Sequence, residues 1–167
     1  TTNASGLATL TSWTLGTVAG ANTVTATAAG LTGSPVTFTA TGSAGAISQL
    51  VITTQPNGAT TGVPFTAQPV LELRDVNDNV VTTASTTVTV TVESGPGALL
   101  GTAAVDAAAG IATFTDLRLD EPGAYTLRFS TTDPALSVVS ATFTVVVPDR
   151  AVVSDSVAPR ARREAGP

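Results

Sequence analysis

The chain contains no cysteine, no methionine and no histidine. It can therefore form no disulfide, offers no soft metal ligand and carries no side chain that titrates near neutrality. Lysine is missing too, so all seven basic residues are arginines and a Lys–Asn isopeptide crosslink is chemically impossible. Stability has to come from packing and strand pairing. Aromatic residues make up 4% and charged residues 11% of the 167 positions, against 43% hydrophobic. The apolar content is thus almost all Val, Ala, Leu and Ile interleaved with Thr, the composition of many short, half-buried strands. A net charge of −5 and a pI near 4.4 argue against a nucleic-acid partner, because phosphate binding draws on clustered Lys and Arg. No run approaches the ~20 apolar residues of a membrane-spanning helix, so no membrane span is expected. The chain opens on Thr1 without a basic-then-apolar leader and reads as the processed or excised part of a longer, secreted product.

What is present is an internal repeat. Gly6 to Leu15 (GLATLTSWTL) matches Gly110 to Leu119 (GIATFTDLRL) at an offset of 104. The match continues with Gly20-Ala21-Asn22-Thr23-Val24 against Gly123-Ala124-Tyr125-Thr126-Leu127, and with Thr37-Phe38-Thr39 against Thr142-Phe143-Thr144. Three segments in the same order imply a unit of about 100 residues, a common size for a sandwich domain. The chain then carries the C-terminal half of one unit (1–42), a linker (43–48), a complete unit (49–147) and an extended tail (148–167).

Within the complete unit, strands are expected over 49–53, 65–74, 86–93, 111–119, 124–130 and 139–147. The clearest is Thr87-Val88-Thr89-Val90-Thr91-Val92, whose alternation puts valines on one face and threonines on the other. Turn chemistry separates them at Gln55-Pro56-Asn57-Gly58, Asp75 to Asn79, Ser94 to Gly97, Glu121-Pro122-Gly123 and Asp133-Pro134. Nothing sustains a helical period, so an all-β, two-sheet sandwich of antiparallel strands is the expected fold. Tyr125, after a Gly corner at the start of a strand and two residues before Leu127, resembles the tyrosine corner of immunoglobulin-like sandwiches; the plainer reading is an ordinary strand tyrosine at a sheet edge.

Three stretches carry a wider resemblance: Val70 to Asn79 (VLELRDVNDN), Ala112 to Leu117 (ATFTDL) and Pro122 to Leu127 (PGAYTL). They are similar to the bacterial immunoglobulin-like tandem repeats of invasin- and intimin-type surface proteins. The resemblance covers residues 1 to 147 and implies an immunoglobulin-like fold, an extracellular or cell-surface location and a spacer or adhesion-stalk role. Its partners would be neighbouring repeats.

The half unit has nine large apolar residues in positions 1–42, against thirty-one in 49–147. A few strands cannot bury both faces, and ordering each residue costs about 1–2 kcal/mol of backbone entropy, so it is not expected to fold alone. Completing strands would come from the parent chain or from another copy by strand addition, which propagates into a fibre. The candidate donor is the tail, with Val152, Val153 and Val157 as its apolar residues; a plain linker is the alternative. Trp13, which aligns with Leu117, is expected in the core with Phe38, Phe114, Tyr125, Leu127 and Phe143.

One acidic constellation has ligand-like spacing. Asp75, Asn77, Asp78 and Asn79 supply hard oxygens of the kind calcium takes at a domain junction, but they lack the Gly and distal Glu of an EF-hand loop. A turn whose Asp and Asn cap their own backbone is the simpler reading. No other cofactor is expected. Without His, Cys or Lys, a Ser or Thr nucleophile has no ordinary base, and Glu93, Asp116 and Glu121 lie at strand ends or turns, so no enzyme activity is expected. A second functional reading is a module that binds a glycan or host protein through the loops Asp75 to Asn79 and Gly95 to Gly101.

Overall fold

The computed structural model describes residues Thr2–Pro148; the tail positions Val152, Val153 and Val157 lie outside the described residues. Thirteen strands and no helix make up the described residues. Two belong to the N-terminal segment, β1 (Gly20–Ala26) and β2 (Val36–Gly42). The rest follow in the C-terminal unit: β3 (Gln49–Thr54), β4 (Ala59–Thr60), β5 (Val70–Arg74), β6 (Thr87–Ser94), β7 (Leu99–Leu100), β8 (Ala104–Asp106), β9 (Ile111–Thr113), β10 (Arg118–Leu119), β11 (Gly123–Thr132), β12 (Ala135–Val139) and β13 (Phe143–Val146).

The C-terminal unit is built on two principal sheets. One is the antiparallel set β3-β5-β9. The other runs β4-β13-β11-β6-β8, with β12 and β13 sharing one edge of β11 and β4 parallel to β13. Leu71 and Leu73 of β5 and Ala112 of β9 join Val88 of β6 and Tyr125, Leu127 and Phe129 of β11 in one buried cluster. Each large side chain fully buried there contributes about 1.5–3 kcal/mol. The Thr/Val alternation behaves as its period requires: Val88 and Val90 are buried, and Thr87 and Thr91 are exposed. Phe114 packs tilted on Phe129 at 5.6 Å, and Phe65 meets Phe143 edge-on at 5.4 Å.

Several strand limits differ from expectation, each for a local reason. The stretch 65–74 becomes a strand only from Val70, because Pro69 has no N–H for a ladder. Ahead of it the Gln68 side chain substitutes for backbone: its Nε2 donates to Leu117 O (3.0 Å) and its Oε1 accepts from Leu117 N (3.1 Å). The stretch 111–119 splits into β9, paired with β5, and β10, paired with β7. The last stretch splits at Ser140, where Leu127 N donates to Ser140 Oγ (3.0 Å) and Ser140 N to Leu127 O (2.8 Å), and the chain passes from β12 to β13.

The N-terminal segment is different. Among the described residues β1 and β2 pair only with each other, Val24 opposite Phe38. Gly6–Leu15 forms no strand although it repeats Gly110–Leu119, because β9 is held by β5 and residues 1–42 contain no counterpart of β5. This corrects the placing of Phe38 and Trp13 in a core. Phe38 is 53% exposed where Phe143 is 7% exposed, and Trp13 is half-buried where Leu117 is fully buried. Among the described residues no second sheet stands over β1–β2 to cover them. The linker belongs to the C-terminal unit: Ala44 and Ile47 pack against its core, and Ser48 N donates to Arg74 O (2.8 Å).

Candidate functional site

The turn after β5 is where the two parts of the chain meet. The backbone closes first: Asp75 N donates to Asn79 O (2.9 Å), Asp78 N donates to Asp75 O (3.2 Å), and Asp78 takes a positive φ of 64°, a conformation Asp tolerates better than most residues. The Asp75 carboxylate then caps the loop it begins. Its Oδ1 accepts from Asn77 N (2.8 Å) and Asn79 N (3.0 Å), and its Oδ2 accepts from Gly45 N of the linker (2.8 Å) and Asn79 Nδ2 (3.0 Å). Asp75 is only 2% exposed, and a carboxylate removed from water in this way needs such donors. The Asn79 amide, then the Gly45 N–H and the remaining backbone donors, bring its pKa down to about 2, against the opposing effect of desolvation.

Asn79 carries the grip across to the N-terminal segment. Its Oδ1 accepts from Ala19 N (2.8 Å), and its Nδ2 donates to Thr17 O (2.8 Å) while also bonding Asp75. The amide orientation is dictated by these partners, since oxygen must face the N–H and nitrogen the two oxygens. One side chain therefore reads a backbone carbonyl and the N–H two residues later, immediately before β1. Gln49 Nε2 adds a bond to Asp75 O (3.2 Å). Asp75, Asn79, the linker and the Thr17–Ala19 loop form one hydrogen-bonded clasp.

The Asp75 carboxylate is already engaged by its own chain. Both Asp75 oxygens face N–H groups, whose dipoles present positive ends, while Asn77 and Asp78 are exposed. Among the described residues no three acidic side chains gather at one point. What the Asp75–Asn79 stretch does in this structure is cap its own backbone and hold the Thr17–Ala19 loop through the Asn79 amide.

At the other end of the unit, Tyr125 is fully buried. Its Oη donates to Glu121 O (2.9 Å) and accepts from Gly97 N (2.8 Å), tying the loop before β11 to the one after β6. A Cβ at Gly95 would overlap the Tyr125 ring. Phe114, Leu117, Leu127 and Phe143 all lie in the core around it. The three carboxylates weighed for catalysis are apart: Glu93 holds Arg128 at 2.6 Å, Asp116 accepts from Thr102 N and Oγ1 (2.9 and 3.0 Å), and Glu121 lends its carbonyl to Tyr125. The Arg128 guanidinium lowers the Glu93 pKa, and the Thr102 N–H does the same for Asp116.

Sequence reasoning missed Asn79 as the gripping residue, because its partners are plain backbone at Thr17 and Ala19, which no residue pattern advertises. It also missed Gln68 and Ser140, whose side chains replace missing ladder bonds. The Pro69 that interrupts its strand was the available signal for Gln68. No helix of the described residues is long and apolar enough to cross a membrane. Compared with models of known protein families and with curated proteins, the sequence matches none.

Proposed function

We propose that this chain is a non-catalytic structural module of an extracellular surface protein, in which an immunoglobulin-like sandwich is held stiffly to the segment before it and serves as a spacer. The immunoglobulin-like reading is supported by strand order. Numbering the main strands by position, the first, second and fifth (β3, β5, β9) share one sheet; the third, sixth and last (β6, β11, β13) share the other, with a buried tyrosine opening the sixth. The N-terminal segment is read as the C-terminal half of a second such unit, β1 standing for β11. Extracellular placement rests on the resemblance in the sequence.

The observation that carries the spacer role is the clasp. Units joined by a short linker move relative to one another by default when few contacts cross between them. Here the linker is pinned by Gly45, Ala44 and Ile47, and Asn79 fixes the loop before β1. A stalk that holds a distant element away from a surface needs that restraint.

The chain has no cysteine, so Thr39→Cys and Thr91→Cys, both at exposed strand positions, give two unique spin labels across the joint. The expected result is one narrow distance distribution, which Asn79→Leu broadens. A broad distribution in the parent would sink the spacer reading.

A further inference from the structure

Building on the spacer reading, we infer that the Asp75–Asn79 turn is a selective socket: it accepts a preceding loop of the Thr17–Ala19 kind and rejects the corresponding loop of the C-terminal unit, so a second copy of that unit placed after the first is not clasped.

The correspondence is fixed by Gly20 and Gly123, which open β1 and β11 and both take positive φ (134° and 153°). Aligning them sets Asp120 at the place of Thr17, Glu121 at Val18 and Pro122 at Ala19. Asn79 Oδ1 depends on the Ala19 N–H, and proline has none. Against a loop ending in Pro122 the amide oxygen meets no donor, and an acceptor desolvated without a partner weakens the contact it sits in.

The two loops are also held differently by their own chains. In the N-terminal segment Asn22, at the position of Tyr125, does the tying: its Oδ1 accepts from Gly16 N (3.1 Å) and its Nδ2 donates to Gly20 O (3.2 Å). Neither bond uses the Thr17 carbonyl or the Ala19 N–H, which leaves that pair for Asn79. In the C-terminal unit the loop is turned onto its own sheet, with Asp120 Oδ1 accepting from Ala98 N (2.6 Å) and Glu121 O accepting from Tyr125 Oη (2.9 Å). The substitution of tyrosine by asparagine and of proline by alanine thus separates a loop that can be gripped from one that closes on itself.

The test inserts a second copy of residues 43–147 between Val147 and Pro148 of the full chain. Linker and socket are then repeated, and the gripped loop is what differs. Labels at Thr39→Cys and Thr91→Cys span the first joint; labels at Thr144→Cys and the copy's own Thr91→Cys span the second, because Thr144 corresponds to Thr39. The inference expects a narrow distribution at the first joint, a broad one at the second, and narrowing of the second by Pro122→Ala, which restores the N–H. A second joint as narrow as the first with Pro122 in place overturns it, as does a second joint that stays broad in a folded Pro122→Ala protein. If Pro122→Ala does not fold, the two joints of the parent insertion decide the matter alone. A broad first joint instead defeats the spacer reading itself, so the two failures are distinct.

Discussion

Phe38 and Phe143 occupy the same position of the internal repeat, within matching Thr-Phe-Thr triplets, yet one is half exposed and the other lies in a core. The same holds for Trp13 and Leu117, and for Gly6–Leu15, which stays without a strand while its counterpart supplies β9 and β10. Nothing in the local sequences accounts for this. What differs is the opposing sheet: β3, β5 and β9 cover the face of β11 and β13, and among the described residues no such sheet covers β1 and β2. Strand propensity and alternation decide that a segment can pair; burial, which supplies most of the free energy, comes from what lies across the core.

The largest predicted effect exploits that contrast. Phe143→Ala should cost about 3–5 kcal/mol in the unfolding of the C-terminal unit, whereas Phe38→Ala should change it by less than ~0.5 kcal/mol. Urea titrations followed by far-ultraviolet circular dichroism measure both. The chain offers a separate reporter for each part, with its single tryptophan in the N-terminal segment and its single tyrosine in the C-terminal unit. Trp13 fluorescence should change at lower urea than the near-ultraviolet signal of Tyr125.

A middle-sized effect separates the two corners. Tyr125→Phe removes a buried hydroxyl bonded to Glu121 O and Gly97 N, and leaving those groups unpaired should cost about 1–3 kcal/mol. Asn22→Ala, at the matching position, should leave the main transition where it is and alter only the Trp13 signal.

Acid should act on the joint more gently. The Asp75 pKa is depressed from an ordinary 3.8 to about 2 in the folded chain. Its contribution to stability is therefore fully present above the ordinary value and is lost as pH falls through about 2. The joint should stay narrow at pH 4 and loosen only near pH 2, as read by the spin-label distances. The stability of Asp75→Asn should lack this part of the acid dependence. The smallest effect is expected for Glu93→Gln, which weakens an exposed pair with Arg128 in which both side chains remain solvated; thermal melts of the variant and the parent should nearly superimpose.

The all-β class, the Thr/Val strand and the places of most turns were legible in the sequence because period-2 alternation and Gly/Pro/Asn punctuation are local signals. The burial of Phe114, Leu117, Tyr125, Leu127 and Phe143 could be read for the same reason. The partner of Gln68 at Leu117 and the break at Ser140 were not, since each depends on a side chain substituting for backbone on another strand; the proline at 69 was a local signal for the end of its strand. The exposure of Phe38 was hidden by its agreement with the repeat, which says what a residue resembles and not what covers it. At the joint, Asp75 and Asn79 stood out by composition, while the groups they hold at Gly45, Thr17 and Ala19 are backbone amides and carbonyls that every residue except proline offers in full.

The central claim is that a self-sufficient C-terminal unit holds a segment that cannot fold alone. Native-state hydrogen exchange on the full chain tests it most directly. Amides of β5, β6 and β11 should exchange only through global unfolding of the unit, and those of β1 and β2 through local opening at far lower free energy. Equal protection in β1, β2 and β11 would contradict the account, because it would mean that the N-terminal segment is a finished domain in its own right.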